Sequence, residues 1–297
     1  MRDRVTQGLA IGGVALIAFA LLWHFSLSQR WTQRIPPGWS VEYDYVGTQT
    51  FAAPGATTLP IADEPGRYER RQRVIDDRRR PTQVVIEDSY VVRRMDSDTI
   101  VFEYVTRDTV DPATGAHLSP AYRGDILLFP RNAQKRSYSL RSNYVKGIPL
   151  AYEYTDEVEG LQTFVYSYAG PAEYTESYAG TAAVPGIPVE KGQDIRCADD
   201  GFRYRTWVEP ATGAIVKVEE SCTSGDYVTD IATGKKLYPL DRWSGVTAGR
   251  ALFARAEQVR ALRAKYLLTA RYVPAGFALA GLLLFAAAAR RWRQVTA

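Results

Sequence analysis

The chain has 297 residues, with 37 Lys and Arg against 33 Asp and Glu, a formal net charge of +4, and only two His and two Cys. With the charges this near balance and the arginine cluster diluted by acids, no nucleic-acid partner is expected. Two histidines leave almost no general base for a Ser-His or Cys-His pair, and the chain has no P-loop, no G-x-G-x-x-G after a strand and no H-E-x-x-H. An enzyme is therefore not expected, and no cofactor or metal is implied.

In chain order, the first element is Gly8–Leu27 (GLAIGGVALIAFALLWHFSL), a stretch without a formal charge. At about 1.5 Å per residue it reaches roughly 30 Å as a helix, one hydrocarbon thickness. Its counterpart at the other end, Tyr272–Ala289, lies between Arg271 and Arg290 and reaches about 27 Å. A helix apolar all round over such a length belongs in a membrane. Arg and Lys are nearly balanced on the two sides of each span, so the positive-inside count does not decide orientation. The short N-terminal tail and the cysteine pair favour an uncleaved two-pass plasma-membrane protein. Residues 1–7 form a cytoplasmic tail, 8–27 a transmembrane helix, 28–246 an extracytoplasmic β domain, 247–271 an amphipathic juxtamembrane helix, 272–289 a second transmembrane helix and 290–297 a second cytoplasmic tail.

Between the spans, β-branched and aromatic runs end at turn residues and predict strands at 40–51, 67–75, 82–94, 99–110, 150–158, 161–169, 202–208 and 214–220. The pentapeptides Asp111-Pro112-Ala113-Thr114-Gly115 and Glu209-Pro210-Ala211-Thr212-Gly213, with the looser Asp230-Ile231-Ala232-Thr233-Gly234, are one turn used three times. Asp96-Ser97-Asp98 and Glu159-Gly160 reverse two further pairs. The domain reads as mainly β and antiparallel. Alternation places Phe164, Tyr166 and Tyr168 on one face of a strand and Phe102 and Tyr104 on one face of another, either as core or as the lining of an apolar ligand site. Arg70, Arg71, Arg73, Arg78, Arg79 and Arg80, interrupted by Asp76 and Asp77, read as a solvated strand pair and its turn. Residues 171–192 read as a long loop or flap.

Cys197 and Cys222 flank the hairpin centred on Glu209–Gly213, which would bring them together at its open end. A disulfide there would contribute about 3 kcal/mol by loop entropy. No His or Cys stands at ligand spacing to make this pair a zinc site. Adjacent Asp199 and Asp200 are turn-like and are weak candidates for a glycosidase carboxylate pair. From 247 to 271, Leu252, Ala256, Val259, Leu262 and Tyr266 recur at helical spacing, with a basic side suited to lipid heads or to solvent.

The segment Gly160–Tyr166 (GLQTFVY), the hairpin Trp207–Ala214 (WVEPATGA), Phe129-Pro130 ahead of a lysine-containing stretch, and an amphipathic helix running into a C-terminal span resemble the actinobacterial two-span envelope proteins of the porin PorA family. The resemblance covers nearly the whole chain and keeps the order of elements. It implies a plasma-membrane protein with an extracytoplasmic β domain. A further similarity to lipoprotein-carrier half-barrels implies a strongly curved sheet or half-barrel that handles envelope lipids. A membrane barrel would need an unbroken lipid-facing apolar side, whereas Arg93, Arg94, Glu103, Arg107, Glu153 and Glu157 are scattered along the strands. The expected function is binding or trafficking of an envelope lipid or glycolipid, the alternative being a scaffold for another envelope membrane protein.

Overall fold

The computed structural model describes residues 4–27, 35–36, 38–52, 57–60, 62–76, 82–122, 124–141, 145, 147–173 and 195–296. Two compact units are present, one formed by the two ends of the chain (1–36 and 261–297) and one by residues 37–260.

In the first unit, α1 (Arg4–Leu22) continues into a wider π turn at Trp23–Leu27, and a matching π turn at Leu268–Tyr272 precedes α3 (Val273–Thr296). Both helical runs are long and apolar enough to cross a membrane. They pack antiparallel. Phe19 meets Phe277 edge-on at 4.8 Å, and Trp23 Nε1 donates to Thr269 O at 2.8 Å. Closest approach is at glycine: a Cβ on Gly13 would lie 2.9 Å from Gly281 O, and one on Gly281 2.8 Å from Gly13 O. Helices meet this closely only where side chains are absent, the usual device of helix pairs in lipid. Antiparallel packing places both ends of the chain on the same side of this pair.

The second unit is one antiparallel sheet. Its strands are β1 (Ser40–Phe51), β2 (Glu64–Asp76), β3 (Val84–Arg94), β4 (Ile100–Val110), β5 (Tyr138–Leu140), β6 (Ile148–Val158), β7 (Leu161–Glu173), β8 (Ile195–Glu209), β9 (Ala214–Cys222), β10 (Tyr227–Asp230), β11 (Lys236–Pro239) and β12 (Asp241–Thr247). The order is β4-β3-β2-β1-β12-β9-β8-β7-β6-β5, with β10 on β8 and β11 on β10. The sheet does not close; among the described residues its end strands β4 and β5 are linked through the isolated pairs Val110 with His117, Ala116 with Ile126 and Ile126 with Leu140.

Register shifts in the β2–β3, β3–β4, β6–β7, β7–β8 and β8–β9 pairs mark bulges, each of which coils a sheet further. Between β1 and β12, Gly47 faces Gly245, and a Cβ on Gly47 would lie 1.8 Å from Ser244 O. One face of the coiled sheet bears a core in which Tyr43, Tyr45, Tyr68, Tyr90, Tyr204 and Phe202 are all buried. The segment between β4 and β6 fills its middle, with Phe129 fully buried.

The repeated turn forms three times as expected. Asp111 Oδ1, Glu209 Oε2 and Asp230 Oδ1 each accept a backbone amide two or three residues on, at 2.7 to 2.8 Å. Gly115, Gly213 and Gly234 end the turns at φ of 72°, 71° and 68°. Gly213 is fixed for a second reason, since a Cβ there would lie 2.1 Å from Phe129 O.

Outward-facing positions carry ion pairs: Arg71 with Glu42 (2.6 Å), Arg73 and Arg107 both with Glu87 (2.6 and 3.0 Å), and Arg205 with Glu153 (3.2 Å). A smaller apolar cluster on that side, Leu161, Val165, Trp207 and Val216, is covered by Ala256 and Val259 of α2 (Gly249–Leu267). Arg255 Nε donates to Ile215 O at 2.8 Å. The expected juxtamembrane helix is thus, as far as Arg260, part of the β unit and packed on its sheet. Expectations for Arg78, Arg79, Arg80 and for most of the 171–192 loop fall outside the described residues.

Candidate functional site

The aromatic face expected to be core or ligand site is core. Tyr166 is 0% exposed, with its ring 4.8 Å from Phe129 and 5.6 Å from Tyr138 and its hydroxyl donating to Gln134 O at 2.8 Å. Tyr104 is buried, and Phe164, Tyr168 and Phe102 are half-buried against the same core. What covers Tyr166 and Phe164 is the 126–140 segment, whose inward path no periodicity announced.

The disulfide expected between Cys197 and Cys222 is not formed; both are buried free thiols. The register explains why. Cys222 pairs with Phe202, the residue opposite it in the β8–β9 hairpin, while Cys197 lies further along β8 and pairs with Val228 of β10. Extending β8 back to Ile195 and adding β10 separates the two positions that the turn was expected to join.

Around Cys222 lies a buried acidic cluster. Its Sγ and one carboxylate oxygen each of Asp199 and Asp226 lie within 4.8 Å of one another. Asp199, 0% exposed, accepts from Gly201 N (2.6 Å) and Ser224 Oγ (3.3 Å) through Oδ1, while Asp226 Oδ2 accepts from Trp243 Nε1 (3.2 Å). Asp226 N donates to Asp241 O, and Leu240 N donates to Asp226 O, both at 2.7 Å. Burial pushes the carboxyls of Asp199 and Asp241 up, the latter further raised by Asp226. Burial, then Asp226, likewise pushes both thiols up. Asp199 and Asp200 do not act as a pair: Asp200 points outward to Lys236 and Tyr227.

Beside the free edge of β4 is a recess of ≈ 860 Å³, lined by Val105, Arg107, Asp108, Leu118, Tyr122 and Arg141 among others. Arg141 is buried, ion-paired with Asp108, with its guanidinium 3.4 Å from the Tyr122 ring centroid and Nη1 3.5 Å from His117 Nδ1. Its Nε and His117 Nε2 have no partner among the described residues. Burial, reinforced by Arg141 and opposed by Asp108, holds His117 below the usual imidazole range. Two cations and two carboxylates, counting the Glu87 that holds Arg107, leave this wall near neutral and rich in donors and acceptors.

Behind it, Arg70 and Asp88 form a buried pair, Arg70 Nη2 to Asp88 Oδ2 at 2.7 Å, with Gln72 Nε2 at 2.8 Å on the same oxygen. The mixed charge run read Arg70 as part of a solvated strand pair; β2 instead turns Tyr68, Arg70 and Gln72 inward.

A family model described as porin PorA matches residues 7–290. The chain belongs to that family. No curated protein matches it. Among solved structures, a monomeric dehydratase domain from a trans AT polyketide synthase split module aligns over 67% of this chain and 81% of its own at 8% identity. Its TM-score of 0.14 carries no argument about fold or function. Membership in the porin PorA family and two helices able to span a membrane fit an envelope-associated protein.

Proposed function

We propose that this chain is a membrane-anchored module that binds the polar head of an envelope glycolipid outside the cytoplasm, with α1 and α3 as the anchor and both termini cytoplasmic. The observation that carries this reading is the recess beside β4. Its ≈ 860 Å³ falls within the usual range of ligand sites. Its lining joins an apolar and aromatic portion (Val105, Leu118, Tyr122) to internally paired charges and hydroxyls (Arg107, Asp108, Ser119, Arg141). Paired charges suit the many neutral donors and acceptors of a saccharide better than a bare anion. With the interior filled by Phe129, Tyr138 and Tyr166, the core has no room for acyl chains, and the reading is confined to the head.

Conduction through the strands does not fit this geometry. The outward side bears the Arg–Glu pairs of β1 to β4, which hydrocarbon would not tolerate, and the inside is packed with rings instead of water. No catalytic role is proposed.

A second reading has its own support: β4 is an edge strand with Ile100 46% and Val105 47% exposed, a surface on which another envelope protein could add a strand. One experiment separates the two. A photoreactive benzoylphenylalanine placed at Leu118 in cells should give, after irradiation, an adduct whose added mass is a glycosylated lipid. A protein adduct at that position supports the scaffold reading. No adduct there, under conditions where a control site in α3 labels lipid, would defeat the glycolipid assignment.

A further inference from the structure

The cluster around Cys222 lies apart from the residues lining the recess and is built from three strands or their turns: Asp199 on β8, Cys222 at the end of β9 and Asp226 just before β10. We propose that Asp199, Cys222 and Asp226 form a structural site for a borderline divalent cation of the zinc class.

Three donors already lie within 4.8 Å of one another. Zinc bonds of about 2.0 Å to oxygen and 2.3 Å to sulfur, set tetrahedrally, put ligand atoms roughly 3.3 to 3.6 Å apart, so closure on an ion needs shifts of about 1 Å. Asp199 supplies the independent sign that something is held there. It is wholly buried, its Oδ1 accepts from Gly201 N and Ser224 Oγ, the Cys222 thiol is in hydrogen-bonding contact with its carboxyl, and its Oδ2 has no partner among the described residues. Among the described residues no ion pair reaches it. A buried carboxylate in that condition needs a proton, a water or a cation. A thiol and a second acid at contact range favour the cation, because sulfur beside two oxygens matches zinc or cobalt rather than calcium or magnesium. Binding displaces the thiol proton of Cys222 to solvent and leaves a thiolate on the metal. The effect would be to tie β8, β9 and β10 together where the β8–β9 hairpin ends.

Two neighbours shape the site. At Gly201 a Cβ would lie 2.1 Å from Ser224 Oγ, the hydroxyl that donates to Asp199, so a side chain there would displace that hydroxyl. Asp241, whose backbone oxygen accepts from Asp226 N at 2.7 Å, adds a further acidic side chain next to Asp226. Cys197 is outside the group and serves as the internal control.

The test uses full-length protein in detergent, stripped with chelator and titrated with Co²⁺. The expected result is a sulfur-to-cobalt charge-transfer band in the near ultraviolet saturating at one equivalent per chain. The band is absent in Cys222→Ser and unchanged in Cys197→Ser, and Asp199→Asn weakens binding by about tenfold or more. Near-ultraviolet circular dichroism checks the fold of each variant. Asp199→Asn, nearly isosteric, keeps the test decisive if Cys222→Ser fails to fold. A folded, stripped wild type without the band, a band that survives Cys222→Ser, or one lost in folded Cys197→Ser would each overturn the proposal.

Discussion

Tyr166 gives the sharpest test of how the sheet is filled. Its ring is 0% exposed and lies against Phe129, Tyr138 and Tyr152 at centroid distances of 4.8, 5.6 and 6.0 Å, and its hydroxyl donates to Gln134 O. Tyr166→Phe keeps the ring and removes one hydrogen bond, a loss of about 0.5 to 1.5 kcal/mol, with Gln134 O left to find another donor. Tyr166→Ala removes the ring and leaves a cavity that Phe129 and Tyr138 cannot close, at roughly 3 to 5 kcal/mol. For a unit of this size each kcal/mol shifts the melting temperature by about 2 to 4 °C, so the alanine variant should melt about 6 to 20 °C lower and the phenylalanine variant only a few degrees lower. The assay is thermal unfolding of the full-length protein in one detergent, followed by near-ultraviolet circular dichroism. Two variants with equal small losses, under about 1 kcal/mol, would mean that the ring lines open space, and the filled-core description would be wrong.

Asp88→Ala should cost roughly 3 to 5 kcal/mol, because it strands the buried Arg70 guanidinium, and the double replacement Arg70→Met with Asp88→Leu should recover most of that loss in denaturant titration; equal losses in both would refute the pairing. His117 is held neutral by burial, so the unfolded chain takes up a proton that the folded chain refuses. Stability should therefore be flat above about pH 6.5, fall as pH drops below it, and level off beneath the lowered folded pKa. His117→Gln should flatten that slope, and an unchanged slope would remove His117 as its source. Because Cys197 and Cys222 are buried free thiols, native protein should resist iodoacetamide, and unfolding without reductant should expose two alkylatable thiols; none would restore the disulfide.

Much of the fold could be read from side-chain alternation. The sequence-predicted strand 40–51 has the bounds of β1, and the three acid-to-glycine turns close as their residue types require, because local chemistry sets both. What escaped was set at long range. β12 lies between β1 and β9 in the middle of the sheet, yet Asp241–Thr247 contains Ser244 and Gly245 and shows little strand character by itself. The close approach to β1 is on the other side of the pair, where a Cβ on Gly47 would lie 1.8 Å from Ser244 O. Arg70 looked like a surface charge because nothing local reveals that it faces Asp88 inside. The cysteine expectation failed on register: the turn was right, but β8 begins earlier than its apolar run suggested. The acidic cluster was invisible for the same reason, since its donors come from three elements with no motif spacing.

The measurement closest to the central claim is native mass spectrometry of the full-length protein purified in mild detergent from its own membranes, wild type beside Arg107→Ala. Arg107 is an exposed lining residue of the recess, so its loss should leave the fold intact. The account predicts a wild-type population carrying one glycolipid mass, strongly reduced in Arg107→Ala. Equal glycolipid occupancy in the two proteins, or none in the wild type, would contradict it.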